Sequence, residues 1–393
     1  MRLLQITHLP VYPPKRGGDH RKHGIVTDFV ANGDTVDRFS QAAYLDDYTD
    51  IELTKQVQIA DSYTEYNYMN PLYSLHRLFL LFDLPYLYRG LPLRIWMPRR
   101  LQELMNRSDV ILVEEPWQLP AIQHHSEETP VVYSSHNVES AKFQPDRYPL
   151  FGTRLQSTLR RIERKAVERA DMLICVSEDD EETFKRDFGA SCPTLVAPNG
   201  IYASSIRTQN VEGHEEVRER HGIDDDEFVG LFVGANYGPN IDAVQQMIDM
   251  MDDFSSDFHL LIVGSVSDEL TCSRPDVTFT GFVDDIEPYY DVAEVGLNPM
   301  RIGGGTNIKL LDYFARSLPV ISTPFGMRGF DNSSNVCLVS ELPSFPEAVS
   351  RLRQDDSLYE TLAVNGRELV KNSYTWDRVS SLVREGVMAE FGI

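Results

Sequence analysis

The sequence predicts an α/β protein of two doubly wound domains, each built on a mostly parallel sheet. Three observations carry that prediction. Short apolar runs alternate with longer helical patterns through both halves of the chain, as βαβ units require. The 393 residues are enough to bury two full cores. A glycine-rich turn also links an apolar run to a helical pattern in three places, at 13–26, 232–242 and 301–309.

In chain order, strands are expected at 2–9, 109–115, 130–136, 171–177 and 193–199, with helices at 19–33, 72–83, 97–107 and 154–170. Runs such as "DVILVEE" and "DMLICVS" are short, β-branched and end in polar residues, which marks them as strands. The second half repeats the theme, with strands at 227–235, 258–265, 277–283, 295–301, 319–323 and 335–340. Helices at 239–253, 307–316, 343–354 and 356–371 separate them. In the helix 307–316, Ile308, Leu311, Phe314 and Ala315 recur at helical spacing, and Leu318-Pro319 ends the pattern. Thr306 is its expected N-cap. The polar segment 199–226, ending "GIDDDE", reads as the join between the two domains. In open α/β sheets ligands bind beyond the carboxyl ends of the strands. The expected site is therefore a cleft that the two domains face.

Composition narrows the classes. The net charge of −23 excludes the basic footprint of a nucleic-acid binder. Residues 211–290 hold nineteen Asp or Glu against three Arg, whereas 73–107 and 142–170 are net basic, at +4 and +5. An acidic surface with only eight Lys suits a high-salt cytoplasm. Cys175, Cys192, Cys272 and Cys337 are scattered without a Cys-x-x-Cys pair, which fits reduced thiols in a cytoplasmic protein and neither a zinc nor a disulfide framework. No window is apolar enough for a transmembrane helix, and "MRLLQITHLPVYPP" reads as a first strand, not a signal peptide. Asp224-Asp225-Asp226 reads as a solvated linker, not a metal site.

Each glycine turn offers main-chain N–H groups to an anion. Gly17-Gly18, with Arg21 one turn into the next helix, follows the first strand; an ordinary turn is the simpler explanation when it is taken alone. Gly234 and Gly238 match neither a Walker loop nor the dinucleotide fingerprint, and a turn closed by Pro239 explains them as well. The third site, "GGGTNIKLLDYFARSLPVIST" (303–323), differs because Lys309 falls in the first turn of its helix, where the dipole disfavours a cation. A bound diphosphate reverses that penalty, and Asp312, on the same helix face, is placed to accept hydrogen bonds from ribose hydroxyls.

The stretch "NPMRIGGGTNIKLLDYFARSLPVISTPFGMRGF" resembles the donor-binding segment of retaining GT-B glycosyltransferases of family 4. That segment runs roughly P-x-x-x-G-x-G-(T/x)-x-x-K-x-x-E-A-x-A-x-G-x-P-V-(I/V)-(S/A)-T. Gly17-Gly18, "SSHNVES", "ICVSEDD", "VAPNGI", "TGFVDDIEPYYDVAEVGLNP" and "YTWDRVSSLV" resemble further landmarks of the family in the right order. The resemblance implies two Rossmann-like domains of the GT-B type. The acceptor-side domain would span 1–198 and the donor-binding domain 199–372, with a terminal helix over 373–393 crossing back to the first. It implies that Lys309 neutralises the diphosphate and that His136 lies near the reacting sugar, although without the resemblance a core histidine at a strand end is the better reading. It places donor contacts at Gly17, Gly18, Arg21, Gly234, Arg301, Gly304, Gly305, Thr306, Asn307 and Asp312, with no metal and no cofactor beyond the sugar nucleotide.

Two departures stand out. The family's paired acids lie eight positions apart, and Gly304 occupies the first of them. The loop "ANYGPN" lacks the Arg and Lys that many members carry there, which leaves Arg301, Arg328 or Arg21 to compensate. Basic residues alternate with aromatic and aliphatic ones in "LHRLFLLFDLPYLYRGLPLRIWMPRR" (75–100), which points to an anionic membrane surface and a saccharide or lipid-linked glycan acceptor. An amphipathic cover for the sheet has the same signature. A sugar-nucleotide epimerase and a non-catalytic binding partner remain the competing functions on the same fold.

Overall fold

The computed structural model describes residues 1–41, 54–70, 90–126, 128–143, 145, 148, 151–210, 214–330 and 334–393. The helix expected at 72–83, and most of the basic stretch 75–100, lie outside them. The chain forms two compact units, Met1–Asn199 with Trp376–Ile393, and Gly200–Thr375.

The first unit holds β1 (Arg2–Thr7), β2 (Thr35–Ser40), β3 (Thr54–Ala60), β4 (Tyr63–Tyr68), β5 (Val110–Val113), β6 (Val131–Ser134), β7 (Met172–Cys175) and β8 (Thr194–Val196). They lie in the order β3-β4-β2-β1-β5-β6-β7-β8, parallel except for the β3–β4 pair. Strands β5, β6 and β7 are buried along their whole length, the condition of a parallel sheet covered on both faces. Strands β2 to β4 were not expected, because "TVDRFS" and "YTEYNY" carry charges. The fold neutralises them: Arg38 and Glu65 are fully buried and pair at 2.9 Å, while Arg107 reaches Asp37 at 2.6 Å.

The expected helix 19–33 forms as two pieces, Gly17–Gly24 and Thr27–Ala31. The terminal helix Trp376–Phe391 lies against them. A Cβ on Gly24 would sit 2.0 Å from Trp376 Cδ2, so only glycine allows this approach. Ser380 Oγ donates to the Ile25 carbonyl and accepts from the Asp28 N–H, both at 2.9 Å, and Arg384 reaches Asp34 at 2.7 Å.

The second unit holds β9 (Phe228–Val233), β10 (Phe258–Val263), β11 (Val277–Phe279), β12 (Val295–Asn298), β13 (Val320–Ser322) and β14 (Leu338–Val339). Their order is β11-β10-β9-β12-β13-β14, all parallel. Counted along this unit that is 3-2-1-4-5-6, the doubly wound order whose direction reverses between β9 and β12 and opens a crevice there. The helix Lys309–Ala315 is tied to this point by Tyr313. Its hydroxyl accepts from the Val233 N–H at 3.0 Å and donates to the Leu231 carbonyl at 3.3 Å. The supposed join 199–226 carries a helix, His214–His221, which the apolar pattern did not mark.

Candidate functional site

Two of the second unit's turns meet at the reversal. After β9 the chain passes Gly234 and enters the helix Gly238–Asp249, whose first turn carries Asn240. After β12 it forms the glycine loop, with Gly303 at φ 133° and Gly305 at φ 69°, values an L side chain resists. Lys309 opens the following helix. Its amine lies 3.2 Å from Asn240 Oδ1, 3.9 Å from Met300 Sδ and 3.7 Å from the centre of the Phe232 ring. Among the described residues it has no carboxylate partner, and burial pulls its pKa down to about 7. The N–H groups of Gly304, Gly305, Asn307 and Ile308 donate to no main-chain carbonyl among the described residues. A half-buried amine beside such N–H groups makes a site for an anion.

The loop is held from behind. Asn307 Nδ2 donates to the Gly326 carbonyl at 2.8 Å, and Arg328 donates to the Gly305 carbonyl while lying over the Phe325 ring. Thr306 is not the N-cap: the helix begins at Lys309 with Ile308 before it and no capping side chain, because the loop continues two residues further than expected. One turn beyond Lys309, burial raises the Asp312 carboxyl to about 6, although Arg316 pulls the other way. Arg316 is itself engaged, with Nε donating to Glu287 at 3.0 Å, Nη1 lying 3.4 Å from Asp312, and its plane over Tyr290. Arg207 donates to the same Glu287 oxygen at 2.7 Å and to Asp291 at 2.6 Å. Nothing in the sequence singled out Asn240, Phe232, Arg316 or Glu287.

In the first unit, His136 follows β6 and its Nε2 lies 2.9 Å from Glu114 Oε2. Glu114 is fully buried. Burial works to raise its carboxyl, but the His136 hydrogen bond, His136 charge and Lys22 charge outweigh that and hold it below the ordinary range. Gln5 Nε2 donates to its other oxygen. The opposite ring nitrogen, Nδ1, is 3.9 Å from where a Gly18 Cβ would stand, so His136 and the Gly17-Gly18 turn belong to one place. Arg21 does not. Its guanidinium is buried and donates to the Ala197 and Pro198 carbonyls at 3.1 Å, because the end of β8 lies directly behind the helix. Arg301 is exposed and, among the described residues, pairs with Asp242 at 3.5 Å. Gly234 is pressed between Phe232 and Asn240, which shapes the β9 turn. No cluster of three or more metal-binding side chains occurs among the described residues. No helix among them is long and apolar enough to cross a membrane.

The family model for glycosyl transferases group 1 matches residues 227–355, and that for Glycosyltransferase Family 4 matches 60–204. No curated protein matches in sequence. Among solved structures, sucrose-phosphate synthase from Thermosynechococcus elongatus is 16% identical with a TM-score of 0.69, covering 100% of this chain and 99% of its own. WaaG, a glycosyltransferase involved in lipopolysaccharide biosynthesis, is 17% identical at 0.67 and covers 100% of both chains. Anabaena Alr3699/HepE in complex with UDP is 13% identical at 0.67, covering 99% of this chain and 100% of its own. Structures so distant in sequence speak for the fold, and the two models supply the family. With a glycosyltransferase model over much of each unit, on paired Rossmann-like sheets, the chain belongs to the GT-B glycosyltransferases.

Proposed function

We propose that the chain moves a sugar from a nucleoside-diphosphate sugar to a saccharide or lipid-linked glycan hydroxyl, with retention at the anomeric carbon and without a metal ion. One observation carries this reading: among the described residues Lys309 is a half-buried amine with no carboxylate partner, set where the strand order reverses and beside N–H groups that donate to no main-chain carbonyl. In this reading the diphosphate lies along Gly304, Gly305, Thr306 and Asn307, and Asp312 accepts from the ribose. The bond from the anomeric carbon to the diphosphate oxygen breaks as the acceptor oxygen bonds to that carbon, and the acceptor hydroxyl's proton passes to the departing diphosphate. Negative charge gathers on the departing oxygen, where the Lys309 ammonium stabilises it by fixed electrostatics. That ammonium supplies the charge a divalent cation would otherwise bring.

The unit Met1–Asn199 receives the acceptor in this reading, with His136 and the Gly17-Gly18 main chain toward the reacting sugar. Arg21 plays no direct part, since main-chain carbonyls hold its guanidinium. A uridine nucleotide is the first donor to test, because HepE has been solved with UDP-glucose and a trehalose-6-phosphate structure from E. coli with UDP-2-fluoro glucose. The protein works at the cytoplasmic face of a membrane. Leu91, Ile95 and Trp96 are exposed, whereas Leu93 is buried and Arg100 is engaged with Tyr66 and Glu103. Nucleotide release from UDP- and GDP-sugars, with and without chelator, tests the reading. Release should be chelator-insensitive and fall by orders of magnitude in Lys309→Ala. A folded wild type that binds sugar nucleotides but releases nothing would leave a binding protein, and sugar interconversion without release an epimerase.

A further inference from the structure

The unit Met1–Asn199 carries a concave surface apart from the site around His136. Helices Leu91–Ile95, Leu119–His125 and Gly152–Arg169 enclose a groove of about 620 Å³. Its lining includes Arg94, His124, His125, Arg161, Lys165 and Arg169, and among the described residues no Asp or Glu. Arg161, Lys165 and Arg169 are spaced four apart and stand in one row on their helix, where like charges repel. None of the three has an ion-pair or hydrogen-bond partner among the described residues. On the neighbouring face the arginines are engaged, Arg160 over the Phe188 ring and Arg164 with the Asp187 carbonyl at 3.1 Å. The helix dipole favours basic residues at carboxyl ends, which accounts for Arg169 and the two histidines. It does nothing for Arg161 and Lys165, which lie further back along the helix.

The groove is distinct from the site around His136. Helix Leu119–His125 runs from the end of β5 toward the start of β6, and helix Gly152–Arg169 leads to the start of β7. Their last turns, with His124, His125 and Arg169, therefore lie toward the amino ends of the strands, whereas His136 and Gly18 meet at the carboxyl ends. Beside the basic lining are apolar side chains turned to solvent: Leu91 is 46%, Ile95 65% and Trp96 59% exposed.

We propose that this groove docks the phosphate headgroups of an anionic bilayer, with Ile95 and Trp96 entering the interfacial layer. Charge complementarity selects the occupant, since unneutralised basic side chains from three helices converge here in a chain of net charge −23. The neighbouring apolar residues suit the boundary between headgroups and acyl chains. The inference rests on the reading of a peripheral membrane contact above and adds a second set of residues to it, independent of the donor chemistry.

The test is co-sedimentation of the full chain with phosphatidylcholine vesicles, with and without phosphatidylglycerol, against Arg161→Glu/Lys165→Glu. Both positions are exposed on the helix surface, so the variant should fold, which circular dichroism checks. Wild type should pellet with the anionic vesicles and stay in solution with the neutral ones. The double variant's partition should fall at least about tenfold, since each basic residue near an anionic leaflet counts for roughly fivefold. Its nucleotide-sugar turnover should match wild type, so a failure of docking and a failure of transfer are read separately. Equal pelleting of variant and wild type, equal pelleting with neutral vesicles, or no pelleting at all overturns the proposal. So does binding of inorganic phosphate without vesicles, which would mark a small-anion site.

Discussion

Replacing Lys309 with methionine should make the empty protein more stable while abolishing transfer, and the surroundings of the amine size the effect. The amine lies against Phe232 and Asn240 with no acid beside it among the described residues, and burial lowers its pKa to about 7. In the unfolded chain a lysine titrates near ~10.4. Between those values the unfolded state binds the extra proton. The folding penalty is therefore full below about pH 7 and vanishes as pH rises past the unfolded value. A gap of roughly three units is worth about 4 kcal/mol at most. Urea unfolding at pH 7 and about pH 9 should show wild type gaining about 2 kcal/mol relative to Lys309→Met, roughly half of the penalty, because the rest fades only as pH nears the unfolded value. A nucleotide sugar brings the missing counter-charge, so the amine should take up about half a proton on binding at pH 7. Calorimetry in buffers of different ionisation heat measures this directly, because the diphosphate diester does not titrate there. Tight wild-type binding without proton uptake, together with parallel stability profiles, would refute the placement of the diphosphate at Lys309.

Two further outcomes are expected. The Asp312 carboxyl, raised to about 6 by burial, must be ionised to accept from the ribose, so wild-type affinity for a nucleotide sugar should weaken as pH falls below about 6. Asp312→Asn should bind more weakly and lose that pH dependence, and calorimetric profiles that run parallel would assign Asp312 another role. The sign for stability is the reverse: a carboxyl raised in the fold costs the empty protein stability as pH rises through about 6, and Asp312→Asn should remove that slope. Gly24→Val would drive methyl groups into Trp376, so a loss of about 1–3 kcal/mol and a lower melting temperature are expected. An unchanged melting temperature would mean that the terminal helix does not depend on this contact.

The alternation of strands and helices, the glycine turn before Lys309 and the spacing to Asp312 were legible in the sequence, because periodicity and turn chemistry are set by residues close together in the chain. The dipole argument also picked out Lys309 before any contact was known. What the tertiary structure decided depends on residues far apart. Strands β2 to β4 were hidden because their charges are neutralised at a distance, Arg38 by Glu65 27 positions on and Asp37 by Arg107 70 positions on. Arg21, expected at the phosphates, is bound instead to main-chain carbonyls, that of Ala197 being 176 positions away. The Lys309 amine faces Asn240, 69 positions back, because strand order brings the turns after β9 and β12 together. No local pattern encodes such pairings: burial raises the cost of an unpaired charge, and only the folded sheet determines which distant group meets it.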